Sequence, residues 1–229
     1  VFLNISPDHI SPIEHPDYED YLHSKLRLFE VTKRAYISRE SSEQEALTKA
    51  VQHCEKVNFF SIKNITDFYA ANISWDHDGG HFEIFGKGQQ FPVFLPMHGF
   101  FNVENALAAA SVALSLGIDS AYVASGLARA ELDGRMMYFH GVGKEPVTVL
   151  VDYAHNKISF ENVFAAVHQE FPDANYVAVF GATGDKAVNR RYDLGLVASR
   201  YAHQIYLTAD DPANETVDSI NQDIAGAFE

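Results

Sequence analysis

The sequence predicts an α/β protein in two parts: a mixed sheet with helices and hairpins over residues 1–133, and a parallel sheet crossed by helices over residues 134–229. Three observations carry this. Beyond Gly134 strand and helix patterns alternate, which requires right-handed βαβ crossovers. From Asp67 to Phe94 polar and apolar residues alternate around two glycine turns, Asp78-Gly79-Gly80 and Gly86-Lys87-Gly88, as hairpins do. An Ala-rich stretch begun by Asn102 and stopped by Gly117 reads as a helix with cap chemistry at both ends.

Taken in order, residues 1–5 read as a strand already under way, and residues 7–16 as a loop. Residues 17–29 have helical spacing at Tyr18, Tyr21, Leu22 and Leu28, with Asp17 as N-cap and Lys25 on the helix. A strand from residue 35, a helix over about 42–54 and a strand over 59–62 follow, then the hairpins, the Ala-rich helix and a shorter helix over 120–130. Gly134-Arg135 marks the junction. The second part reads as strand 147–152, helix 159–170, strand 176–180, helix 190–202, strand 205–208 and helix 217–228.

Composition narrows the function. With 47% hydrophobic and 13% aromatic residues, 229 residues can fill one large or two small cores. Seventeen basic against 31 acidic residues give a net charge of -14 with no Lys/Arg cluster, which opposes binding to nucleic acid. The single cysteine, Cys54, excludes an internal disulfide framework, and no apolar run is long enough for membrane insertion. A cytoplasmic monomer is the simplest reading. Because there is no initiator Met and no strand after the last helix, the chain is expected to be a fragment cut at both ends.

The most informative stretch is residues 147–156, where an apolar run ends in Asp152-Tyr153-Ala154-His155-Asn156. Polar groups delivered at the C-terminal end of a buried strand lie where open α/β sheets bind ligands. A strand followed by a polar turn explains the same residues without a ligand. Two other patterns do not qualify as sites. His77 and His81 flank Asp78-Gly79-Gly80 and read as hairpin flanks rather than a helical metal pair. Gly86-Lys87-Gly88 lacks the Ser or Thr and the earlier glycine of a phosphate loop.

Asp152-Tyr153-Ala154-His155-Asn156 resembles the DYAHxP segment of the Mur ligases, the ATP-dependent amide-forming enzymes of peptidoglycan synthesis. Three further segments agree in the same order. Ser6-Pro7-Asp8-His9, then His15 and Tyr21 to Lys25, resembles their DH…HG…Y…K segment; Gly99 to Ala106 resembles GxFNxxNxxAA; Gly134-Arg135-Met136 resembles GRME. The resemblance is strongest to the branch that adds the third stem-peptide residue to UDP-N-acetylmuramoyl-dipeptide. It implies the later part of a central ATPase domain over 1–133 and a Rossmann-like C-terminal ligase domain, incomplete, over 134–229.

What the resemblance implies for chemistry follows motif by motif. Lys25 matches a carbamylated lysine that serves Mg²⁺, a cation preferring oxygen ligands, and His9 matches a histidine that ligates a second Mg²⁺. Asn102 and Asn105 match positions facing the adenine, to which an amide offers a donor and an acceptor. Arg135 resembles an arginine on the ATP phosphates, so that Lys25 and Arg135 are the candidate catalytic residues. Asp152, His155 and Asn156 would hold the ribose side of the nucleotide, with Lys157 in place of the usual proline. Gly181 to Lys186, followed by Arg190 and Arg191, resembles the GxxGDRDxxKR loop near substrate and phosphates, so Lys186 is a substrate candidate.

Asp210-Asp211-Pro212-Ala213-Asn214 stands in place of the amino-acid-selecting DNPx loop. Members using meso-diaminopimelate carry Arg where this chain has Ala213, which argues for L-lysine, with Asp210 or Asp211 near its ammonium groups. The family's phosphate loop and acidic magnesium ligand are absent from these residues, so this stretch alone is not expected to be an active catalyst. Two alternatives remain: a non-catalytic nucleotide-binding subunit of the same architecture, and a folylpolyglutamate-synthase-like ligase. Without the resemblance, Lys25 is a solvated helix lysine and His9 a locally bonded loop histidine.

Overall fold

Parallel and antiparallel pairing meet in one five-stranded sheet of the first unit, with strands in sequence order. The computed structural model describes residues 1–142 and 147–228. By packing, these form two units, Val1–Ile5 with Leu26–Asp152 and Ser6–Lys25 with Tyr153–Glu229.

In the first unit β1 (Arg34–Ser38) pairs parallel with β2 (Lys56–Ser61) through the crossover helix α2 (Gln44–Ala50); α1 (Tyr18–Leu26) belongs, through Lys25, to the second unit. β2 runs parallel to β3 (Phe68–Trp75), which turns back through β4 (Gly80–Gly86) and β5 (Gln89–Leu95) as two hairpins. Burial follows the pairing. β1 is buried at four successive residues, as an inner parallel strand is, while β4 and β5 alternate in and out. Both expected turns occur: Lys87 (φ 53°) and Gly88 (φ 72°) make the two-residue turn closed by the Gly86–Gln89 pair.

The helix α3 (Phe100–Ser115) packs Val103, Leu107, Ala110 and Leu114 onto Phe60, Phe68, Ile84 and Leu95, the centre of this core. α4 (Ser120–Leu127) follows, its first turn capped by Asp119, which accepts the Ala121 N–H at 2.8 Å.

Two expectations change here. Residues 1–5 are not a strand: only Phe2 pairs, taking the Tyr36 carbonyl at 2.8 Å and receiving the Ser38 N–H at 2.9 Å. The chain then turns aside, and the Ile5 carbonyl accepts the Ser42 hydroxyl at 3.3 Å. Nor does Asn102 cap α3. Gly99, at φ 93°, turns the backbone into the helix earlier, and the buried Asn102 amide donates instead to the His98 carbonyl at 2.8 Å.

The third change concerns residues 147–152. Rather than joining a parallel sheet, β7 (Val147–Val151) pairs antiparallel with β6 (Met137–Val142), a strand whose mixed pattern gave no period-two signal. Parallel pairing is present between β8 (Val177–Phe180) and β9 (Gln204–Leu207), joined by α6 (Asn189–Tyr201).

In the second unit α5 (Lys157–Glu170), α6 and α7 (Val217–Ala225) pack Phe160, Leu194, Val197, Ile220 and Ile224 into one core. Asp17 caps α1 as expected, accepting the Asp20 N–H at 2.9 Å. α1 is shorter than expected, because the chain tightens into a 3₁₀ turn over Arg27–Val31.

Candidate functional site

The Ser6–Lys25 segment is tied into the second unit by a charged network. Asp8 receives a two-pronged bond from Arg190, Nε to Oδ1 at 2.5 Å and Nη2 to Oδ2 at 3.0 Å, with the Asn156 amide 3.3 Å from Oδ2. Burial alone would raise the Asp8 carboxyl, but the Arg190 bonds and charge, with the His9 N–H, outweigh it and hold it below the ordinary aspartate value. His9 itself has φ 54°, a left-handed backbone that aims its ring back into this network. Its Nδ1 lies 2.7 Å from Glu14 Oε1, and its Nε2 lies 3.2 Å from Arg190 Nη2.

Those neighbours assign the neutral ring its tautomer. A carboxylate at Nδ1 needs a hydrogen there, and a guanidinium at Nε2 needs a lone pair. Glu14 is fixed in turn by the Ser11 hydroxyl at 2.9 Å and the Ala187 N–H at 2.8 Å. Although burial pushes its carboxyl up, the bonds from His9, Ala187 and Ser11 prevail and keep it low. Glu14 therefore supplies the group that orients His9. Lys25, exposed in the last turn of α1, stands with Nζ 5.1 Å from the centroid of Tyr21, whose ring also meets His15 at 5.3 Å.

Two loops of the same unit close on one another around Arg191, which is 3% exposed. Its guanidinium donates to Glu215 Oε2 (2.8 Å) and Oε1 (2.6 Å), to Asp223 Oδ2 (2.8 Å) and to the Thr183 carbonyl (3.1 Å). Glu215 Oε1 also accepts the Asp185 N–H at 2.7 Å, the Gly184 N–H reaches the Asp211 carbonyl at 2.8 Å, and Asn214 Nδ2 reaches Asp185 Oδ2 at 2.6 Å. A Cβ on Gly184 would stand 1.9 Å from the Pro212 carbonyl oxygen, so only glycine admits this approach. Around the seam Lys186, Asp210, Asp211 and Ala213 are all exposed.

Hydrogen bonding to Arg191, then to the Asp185 N–H, brings Glu215 down to about 2. Since its folded value is below the ordinary 4.5, the unfolded chain binds more protons in between, and stability falls as pH drops from 4.5 through about 2. Glu215→Gln is expected to flatten that limb of a Tm-against-pH curve; an unchanged limb would place the titration elsewhere.

In the first unit, Asp152 pins the Gly134–Met136 turn: its Oδ2 accepts the Met136 N–H at 2.9 Å, with Met136 at φ 47°. Arg135 Nη1 reaches the Gly134 carbonyl at 3.2 Å. Asn105 is exposed on α3, whereas Asn102 is buried. In the second unit, His155 takes the Tyr153 carbonyl at Nδ1 (2.8 Å), and Asn156 caps α5 through a reciprocal pair with Ser159. With its carbonyl on that cap and its amino group toward Asp8, Asn156 has a structural explanation.

Do these residues fit magnesium? Among the described residues no three His, Cys, Asp or Glu side chains are grouped to hold a metal. Mg²⁺ keeps waters and takes phosphate oxygens, however, so one or two protein donors suffice. His9 Nε2 faces Arg190 Nη2 at 3.2 Å and would have to exchange that contact for the ion, and Lys25 would supply oxygens once carbon dioxide had added to it. Asp8 is spent on Arg190.

Sheet, helices and loop chemistry define an α/β protein with a glycine-rich loop set against an acidic one. The chain belongs to the Mur ligase family: residues 1–113 match the Mur ligase middle domain, and residues 134–229 match the Mur ligase, glutamate ligase domain. It is 34% identical over 236 residues to UDP-N-acetylmuramoyl-L-alanyl-D-glutamate--L-lysine ligase of Enterococcus faecalis, covering 98% of this chain and 45% of that protein. Identity is 35% over 231 residues to the ligase of the same name from Streptococcus mutans, covering 98% of this chain and 44% of that protein. The chain thus spans somewhat under half the length of these relatives.

Among solved structures, Mycobacterium tuberculosis folylpolyglutamate synthase complexed with ADP and AMPPCP shares the fold, with TM-score 0.80 at 22% identity over 99% of this chain and 51% of that one. A UDP-N-acetylmuramoyl-L-alanyl-D-glutamate--2,6-diaminopimelate ligase aligns with TM-score 0.59 at 26% identity, over 100% of this chain and 48% of that one. No helix among the described residues is long and apolar enough to cross a membrane.

Proposed function

We propose that the protein carrying this chain is an ATP-dependent ligase adding L-lysine to UDP-N-acetylmuramoyl-dipeptide in the cytoplasm, with residues 1–133 in its ATP-binding domain and 134–229 in its ligase domain. The observation that carries this is the 34–35% identity to L-lysine ligases across nearly the whole chain. Ala213 in the selecting loop agrees with it.

The dipeptide carboxylate attacks the γ-phosphorus of ATP, releasing ADP and leaving an acyl phosphate. The lysine amine then attacks the carbonyl carbon, phosphate departs and the ammonium proton is lost. Mg²⁺, when bound, neutralises phosphate charge. Lys25 as its carbamate and His9 would be its protein donors; Asn105, Arg135 and Asp152 in the first unit and His155 in the second are the nucleotide candidates, whereas buried Asn102, bonded to the His98 carbonyl, and Asn156, engaged by the α5 cap and Asp8, keep structural roles. Lys186 serves the dipeptide, while Asp210 and Asp211 attract the ammonium groups of lysine and Ala213 leaves no cation for a second carboxylate.

The intact protein, given ATP, UDP-N-acetylmuramoyl-dipeptide and equal L-lysine and meso-diaminopimelate, is expected to favour lysine by about a hundredfold. Preference for diaminopimelate would overturn the specificity. Nucleotide binding without turnover would favour a non-catalytic subunit. A folylpolyglutamate-synthase-like ligase is the second reading, supported by the TM-score of 0.80, and glutamate addition to a folate would establish it.

A further inference from the structure

Two carboxylates and two hydroxyls meet at the C-terminal ends of β1 and β2, beside the first turns of α3. Ser38 Oγ is in hydrogen-bond contact with Glu104 Oε1, lies 3.2 Å from Glu40 Oε2, and accepts the Glu40 N–H at 3.1 Å. Ser61 Oγ donates to Glu40 Oε1 at 2.6 Å and accepts the N–H groups of Lys63 and Asn64 at 3.0 and 2.8 Å. Both serines are fully buried, and Glu104 is 9% exposed.

Counting hydrogens is decisive. Each hydroxyl has one to give. That of Ser61 goes to Glu40, and that of Ser38 can serve only one of its two carboxylates. Were both glutamates anions, one oxygen–oxygen contact would have no hydrogen, and two negative charges would share one buried hydroxyl. A proton on one carboxyl removes both faults. Glu104 is the more buried of the two, while Glu40 keeps two hydroxyl donors.

We propose that Glu104 is held as the neutral acid, donating its proton to Ser38 Oγ, which hands its own hydrogen to Glu40, and that this row of bonds positions the start of α3. Burial raises the Glu104 carboxyl; the Ser38 bond and the Lys63 charge offset this only in part, and the Glu40 charge adds to it. Glu104 is a positioning residue, since Asn105 is presented from the same helical turn. That consequence for ATP rests on the reading under Proposed function, whereas the protonation stands on its own.

Glu104→Gln keeps a neutral donor of equal length; Glu104→Ala removes it. An acid raised in the fold stabilises below its unfolded pKa and loses that contribution as pH climbs through the folded one. Relative to Glu104→Gln, the intact wild-type protein is therefore expected to lose about 2–4 °C of Tm with rising pH, and its infrared spectrum to contain a protonated-carboxyl band that the Gln variant lacks. Parallel Tm curves with no such band would overturn the proposal.

Should the Gln variant fail to fold, the wild-type spectrum decides, the band either titrating away with alkali or being absent. KM for ATP is expected to stay level in Glu104→Gln and rise about tenfold in Glu104→Ala. An unchanged KM in Glu104→Ala would overturn the positioning role. If the intact protein neither binds nor uses ATP, the functional reading fails while the spectrum still settles the protonation.

Discussion

Arg191→Gln is expected to lower stability by about 3 kcal/mol, or roughly 6–12 °C in Tm for a chain of this size. Its side chain is 4% exposed and carries bonds to Glu215, Asp223 and the Thr183 carbonyl, so glutamine leaves a carboxylate and a carbonyl short of donors. The lower end of the range for a broken buried pair applies, because Glu215 and Asp223 are 29% and 52% exposed and water repairs part of the loss. Arg191→Lys should recover only a minority of it, since an ammonium cannot reproduce the planar fork. The loss should localise: faster amide exchange at Asp185 would show the loops parting. A Tm within 2 °C of wild type, on the order of measurement and context scatter, would contradict the network.

For Lys25→Gln the expectation is opposite in kind. The residue is exposed at the end of α1, so Tm should stay within the usual surface range, about 0.5 kcal/mol in stability. Turnover in the intact protein should fall by about a hundredfold or more, with a higher magnesium requirement, because glutamine cannot take up carbon dioxide. Depleting carbon dioxide should slow the wild-type enzyme and leave the variant unaffected. Full activity in Lys25→Gln would remove the carbamate from the account, and Lys25 would then be only a cation near the Tyr21 ring.

Local chemistry made some of this structure legible in advance. The turns at Asp78-Gly79-Gly80 and Gly86-Lys87-Gly88 depend on backbone conformations that a few residue types supply, so spacing alone placed β3, β4 and β5. Asn102 shows the limit of such rules. A good cap residue was outcompeted by Gly99, whose positive φ admitted the chain to the helix sooner. The β6–β7 hairpin was hidden because Met137 to Val142 has no alternating period, and its pairing is decided by tertiary context.

The candidate site divides the same way. Motif residues such as His9, Lys25, Arg135, Asp152, Arg190 and Arg191 stood out by resemblance, but which of them meet, and through which partners, did not. Glu14 and Arg190 reach His9 across 5 and 181 residues, and Arg191 reaches Glu215 across 24. Pairings at such separations leave no periodic trace in one sequence. Glu104 lies between Asn102 and Asn105, and a carboxylate on the apolar face of an Ala-rich helix signals a buried partner.

The central claim is that ATP activates a substrate carboxylate as an acyl phosphate. Heavy oxygen placed in the terminal carboxylate of UDP-N-acetylmuramoyl-dipeptide tests it directly. Turnover with ATP and L-lysine in the intact protein is expected to deliver one labelled oxygen to each phosphate released and keep the other in the new amide. Unlabelled phosphate, formed while ADP accumulates, would contradict it.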